Sequence, residues 1–181
     1  MLHARPSPTT MPQLPTPDQL IARLADQIAP LLAPDSMRDL ALVGIHTGGV
    51  WVMDALAERL GGHDLPRGVL DISFYRDDFS RIGLHPQVKP SEIPFDMEDR
   101  HILLIDDVLH TGRTIRAAMN VLFDYGRPAA IHLAVLLDRG GREMPIQADF
   151  VGASLTLAAD ENISLTRAGD GVLGFKVNQR T

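Results

Sequence analysis

Ile102-Leu103-Leu104-Ile105-Asp106-Asp107-Val108-Leu109-His110-Thr111-Gly112-Arg113-Thr114 is the stretch on which the fold turns. Its first four residues are apolar without alternation, the pattern of a strand covered on both faces, and such strands belong to parallel sheets flanked by helices. A helix is predicted over Arg113–Tyr125, stopped by Gly126. Between strand and helix lie two carboxylates and a short loop of small and hydroxyl residues. Amides at a helix start lack intrahelical partners and carry partial positive charge, so they can hold a phosphate. Thr111 and Thr114 add hydroxyl donors, and Gly112 lets the backbone come close. Asp106 and Asp107 would repel a phosphate but accept hydrogen bonds from sugar hydroxyls. The string therefore has the layout of a ribose-phosphate site.

Outward from this string the same alternation continues. Upstream, Leu40–Ile45 reads as a buried strand, His46-Thr47-Gly48-Gly49 as a tight loop, and Val50–Leu60 as a helix stopped by Gly61-Gly62. Val69–Phe74 reads as a second strand, and the polar residues 75–98, with Pro86, Pro90 and Pro94, as a long loop. His101–Ile105 is the third strand and Ala130–Leu137 the fourth, followed by a polar turn over 138–145. A first helix starts at Thr16-Pro17-Asp18-Gln19, a capping-box signature, and Leu20, Ile21, Leu24, Ile28, Leu31 and Leu32 repeat at helical spacing behind it. The expectation is one α/β domain over 16–181, a central parallel sheet flanked by helices. Residues 1–15, rich in proline, are expected to be a disordered tail. In such sheets ligands bind at the carboxyl ends of the strands where the order reverses, and every chemically interesting segment here follows a strand.

Composition narrows the function. The 181 residues contain no cysteine, which excludes disulfides, thiolate catalysis and cysteine-ligated metals. Lysine occurs only at Lys89 and Lys176, and the formal net charge is -6, a poor balance for a protein that must neutralise nucleic-acid phosphates. No signal-peptide core and no run of the ~18 apolar residues a membrane helix needs is visible, so the expected location is the cytoplasm, away from membranes. No histidines sit together at metal-ligand spacing, so no protein-ligated metal is expected.

The 102–114 string resembles the signature by which type I phosphoribosyltransferases bind 5-phosphoribosyl 1-pyrophosphate (PRPP). The resemblance extends over Val43–Thr47, Asp71–Asp78, Gly126-Arg127-Pro128, Asp138-Arg139-Gly140, Arg142-Glu143 and Pro145-Ile146. Together these resemble the PyrR family of uracil phosphoribosyltransferases, some of whose members regulate pyrimidine genes. The resemblance implies the type I fold with a small hood, and roles for individual residues. Thr111, Gly112, Arg113 and Thr114 would hold the 5′-phosphate, with Val108, Leu109 and His110 in the same loop. Asp106 and Asp107 would bind the ribose hydroxyls, Asp107 lying near the anomeric carbon. His46, Thr47, Gly48 and Gly49 would form the pyrophosphate loop. Arginine is commoner where Gly48 stands, although glycine can present bare amides to an anion. A flap over about 75–95 would close over the site with Tyr75, Arg76, Asp77, Asp78 and Lys89, Arg76 joining the two aspartates as a catalytic residue. A hood over about 138–150 would cover uracil through Asp138, Arg139, Gly140, Met144 and Ile146, the base lying under Met144 and Ile146 and Arg139 facing pyrophosphate.

The expected reaction is uracil plus PRPP giving UMP and pyrophosphate, with Mg2+ carried by the substrate. A homodimer or dimer of dimers is implied by the family. Tight RNA binding is not expected, because Gly141, Gln147 and Ala153 stand where histidine, arginine and lysine are typical of RNA-binding relatives. The competing expectations are a catalytically weak nucleotide-sensing or RNA-binding transcription attenuator, and a purine phosphoribosyltransferase.

Overall fold

The computed structural model describes residues 14–33, 39–61, 64–72 and 91–179. The flap residues Tyr75, Arg76, Asp77, Asp78 and Lys89, and nearly all of the proline-rich tail, lie outside them.

Five parallel strands form the central sheet in the order β2-β1-β3-β4-β5. They are β1 (Leu40–Ile45), β2 (Arg67–Leu70), β3 (His101–Leu109), β4 (Ala130–Asp138) and β5 (Phe150–Ser154). Helix α1 (Pro17–Ile28) opens with the expected capping box: the Gln19 amide donates to Thr16 Oγ1 at 3.3 Å, and the Thr16 amide to Gln19 Oε1 at 3.0 Å. It ends at Ile28 rather than running through Leu32, because Pro30 has no amide to continue the ladder, and Ala29–Leu32 tighten into a 3₁₀ turn. Helix α2 (Gly48–Arg59) lies with α1 on one face of the sheet, where Leu20, Leu24, Val52 and Leu56 meet Leu103 and Ile105. Helix α3 (Arg113–Tyr125) covers the other face, packing Ile115, Ala118 and Leu122 on Ile102, Leu104 and Val135. Alternate residues of β3 thus feed two cores, which is why its sequence is apolar without a break.

Three boundaries depart from the sequence reading. Strand β2 spans Arg67–Leu70, starting two residues before the predicted 69–74; 71 and 72 are not in the strand, and 73 and 74 lie outside the described residues. Past Leu70 the Asp71 amide donates to Ser91 Oγ at 2.9 Å instead of continuing the ladder. Helix α2 begins at Gly48, two residues before the apolar spacing starts, so the two glycines form its first turn. Strand β3 continues through both aspartates to Leu109, paired with β4 as far as Leu109↔Asp138. The carboxylates are therefore held by the sheet itself.

Three strands lie beyond those the sequence predicts. One is β5, on the sheet edge. The other two, β6 (Glu161–Arg167) and β7 (Leu173–Gln179), form a separate antiparallel hairpin that rests Ile163 and Leu165 on the α1–α2 core. No helix among the described residues is long and apolar enough to cross a membrane.

Candidate active site

Strands β1 and β3 are neighbours, yet the helices that follow them, α2 and α3, lie on opposite faces. A crevice must open between their ends, the switch point at which such sheets bind ligands. An open cavity of about 390 Å³ sits there, lined by His46, Thr47 and Gly48 after β1, Asp106, Asp107, Val108 and His110 of β3 and its loop, and Thr114 of α3. Arg139 after β4, with Asn162, Ile163 and Ser164 of β6, forms the remaining wall.

The two carboxylates differ in setting. Asp106 is 5% exposed, and one of its oxygens accepts the Asp107 amide at 2.9 Å. Asp107 is half-buried and lies over the opening of α2: a Cβ added at Gly48 would sit 2.4 Å from its carboxylate. Gly49 is tighter still against backbone, an added Cβ falling 2.3 Å from the Ile105 carbonyl oxygen. Glycines at both positions let the start of α2 lie against β3. The α2 terminus has no side-chain hydrogen-bonding cap, and the same is true of α3, whose cap Gly112 adopts φ +90, a left-handed conformation that favours glycine. Thr111 Oγ1 accepts the Arg113 amide at 3.3 Å, folding the loop into the helix start.

The loop between β3 and α3 has its carbonyls engaged from behind. The Leu109 oxygen accepts the Arg139 amide at 3.0 Å, and the Thr111 oxygen accepts the amides of Glu143 and Met144, both at 2.9 Å. Arg142 Nη1 donates to the His110 oxygen at 2.8 Å, Nε to the Ile146 oxygen at 2.9 Å, and Nη2 to Asp138 Oδ2 at 2.5 Å. Arg113 and Glu143 add an exposed ion pair at 2.6 Å.

Not every expected residue reaches the cavity. Leu109 is 1% exposed and packs in the α3-side core, so only its backbone is available. Met144 and Ile146 pack against Gly112 rather than lining the cavity; an added Cβ there would meet them at 3.0 and 3.4 Å. Among the cavity's lining residues, the far wall is β6, to which the sequence reading gave no role. The signal was present: Ile163 and Leu165 alternate with polar residues, and Ala168-Gly169-Asp170-Gly171 is a turn sequence before a second strand.

This architecture is that of a phosphoribosyltransferase, and the phosphoribosyl transferase domain family matches residues 14–165. Among solved structures, a Trypanosoma cruzi hypoxanthine phosphoribosyltransferase is 26% identical at a TM-score of 0.62, covering 86% of this chain and 83% of that one. A Staphylococcus aureus hypoxanthine phosphoribosyltransferase shares the fold at 24% identity and a TM-score of 0.59, over 83% and 80%. The bifunctional protein PyrR of Nitrosococcus oceani is 55% identical over 161 residues, 88% of this chain and 90% of that protein. PyrR of Pseudomonas aeruginosa is 53% identical over 164 residues, 91% and 96%. The chain belongs to the PyrR family of phosphoribosyltransferases.

Proposed function

We propose that the protein transfers the phosphoribosyl group of PRPP to uracil, releasing pyrophosphate and UMP. The observation that carries this reading is the meeting, in one cavity, of the Asp106–Asp107 pair with the opening turns of α2 and α3. The carboxylates accept hydrogen bonds from the ribose hydroxyls. The amides of the 111–114 turn and the Thr114 hydroxyl hold the 5′-phosphate. With the carbonyls of Leu109, His110 and Thr111 bonded to the 139–144 segment, an anion at this loop meets donors. The pyrophosphate lies toward Thr47, Gly48 and Gly49, with Arg139 opposite.

Asp107 then stands beside the anomeric carbon, where its charge stabilises the oxocarbenium-like transition state as the bond to pyrophosphate breaks. Holding base and sugar in line supplies much of the remaining rate. Among the described residues no three His, Cys, Asp or Glu side chains converge as a metal cage. The donor set instead suits Mg2+ brought in on substrate oxygens, largely water-coordinated, where it would screen the pyrophosphate charge with Asp106 and Asp107 nearby. Arg76 and Lys89 are assigned to the cover that excludes water.

Uracil is preferred to a purine because the PyrR relatives are 53–55% identical, against 24–26% for the purine enzymes. The test is UMP formation from uracil, PRPP and magnesium, with hypoxanthine and guanine in parallel. Asp107→Asn is expected to cut turnover by about 10²-fold or more, as loss of a charge at a developing cation should, while leaving the melting temperature near that of the parent. Turnover of a purine instead of uracil would overturn the base assignment.

The relatives' names contain the word bifunctional, and that favours a second role, UMP-responsive regulation of pyrimidine genes. The same cavity would serve as its UMP sensor.

A further inference from the structure

Arg139 leaves the end of β4 and crosses to the hairpin, where Nη1 donates to Asn162 Oδ1 at 2.7 Å and Nη2 to the Glu161 carbonyl oxygen at 3.0 Å. Arg139 is the only lysine or arginine among the described residues that line the cavity. The Asn162 and Glu161 acceptors are uncharged. They fix two corners of the planar guanidinium on the cavity wall.

We propose that Asn162 is a positioning residue for the transfer reaction: through its bond to Arg139 it aims the guanidinium at the pyrophosphate of PRPP. The hairpin thereby becomes part of the substrate site. A cation so held offsets the glycine at position 48, where the commoner loop carries arginine. The proposal rests on the phosphoribosyltransferase reading and deepens it.

Two substitutions separate aiming from mere support. Asn162→Ala removes the acceptor. Asn162→Asp keeps an acceptor and strengthens the tie to Arg139, but places a negative charge beside it on the cavity wall. PRPP affinity is measured by calorimetry with magnesium on the full chain, beside melting temperature and the KM for PRPP. Asn162→Ala is expected to weaken PRPP binding about tenfold, the scale of one hydrogen bond to a charged group. Asn162→Asp is expected to weaken it at least as much while melting no lower than the parent. In an Arg139→Ala background, Asn162→Ala should have no further effect on PRPP affinity. A purely supporting role predicts the reverse for Asn162→Asp: retained stability and retained affinity. The proposal is overturned if both substitutions leave PRPP affinity within about twofold of the parent, inside the spread of a surface change. It is also overturned if Asn162→Ala costs as much without Arg139 as with it. Failure of the parent protein to bind PRPP would instead overturn the phosphoribosyltransferase reading itself.

Discussion

At the scale of single residues, the two glycines that open α2 make different predictions. An alanine at 49 would drive its Cβ into the Ile105 carbonyl and to 3.0 Å from the Asp106 Cα, main-chain atoms of a central strand with nowhere to go. Gly49→Ala is expected to destabilise by about 3 kcal/mol or more, as overpacking against rigid backbone does. An alanine at 48 meets the Asp107 carboxylate at 2.4 Å and its Cβ at 2.8 Å; the carboxylate can rotate, but the Cβ moves only with the backbone. Gly48→Ala should therefore melt lower than the parent, though less so than Gly49→Ala, and lose most of its turnover, because the carboxylate is displaced from the cavity. Melting curves read beside UMP formation check both. The residue scale is also where the sequence was most legible: strand, paired acids and phosphate loop follow in one unbroken string. Asn162 was not legible there, because its meaning depends on Arg139, twenty-three positions away.

At the scale of elements, strands buried on two faces announced themselves, whereas β5 did not. Phe150–Ser154 is short, contains Gly152 and sits on the sheet edge, so little apolar pattern was required of it. The ends of β2 and β3 differ from the predicted ones because they are set by pairing partners, the Ser91 hydroxyl in one case and the length of β4 in the other. The segment after β4 offers the clearest test at this scale. Arg142 makes three hydrogen bonds from a largely buried position, one to Asp138 and two to carbonyls of the phosphate loop and of Ile146. Arg142→Ala is expected to cost about 2–4 kcal/mol, since it strands a carboxylate and two carbonyls. Chemical denaturation measures it. The exposed Arg59–Asp18 pair is the control, and Arg59→Ala should cost under about 1 kcal/mol.

At the scale of the whole molecule, charge decides what the surface can recruit. A net charge of -6, from 17 Lys and Arg against 23 Asp and Glu, is a poor balance for neutralising a polyanion, and Gly141 cannot supply a cation beside His110, whose imidazole an added Cβ would meet at 2.8 Å. Affinity for a pyrimidine-operon leader RNA is expected to be weaker than about 1 μM at physiological salt, in the range typical of non-specific contacts. Filter binding across a salt series checks this, and a steep salt slope with nanomolar affinity would refute it.

Helix α1 is completed by residues far along the chain. Gln27 Nε2 donates to the Val151 carbonyl oxygen across 124 positions, and the apolar face of α1 rests on β5 and the hairpin. On a ribosome adding about 5–20 residues per second, Leu20, Leu24 and Ile28 would wait roughly ten seconds for the strands that cover them. The β6 wall of the cavity emerges later still. A nascent chain halted before residue 161 would hold both aspartates and the phosphate loop but lack the wall bearing Asn162. Arrest of synthesis before β6 would thus yield a sheet with an open, half-built site and an apolar flank for a chaperone to hold.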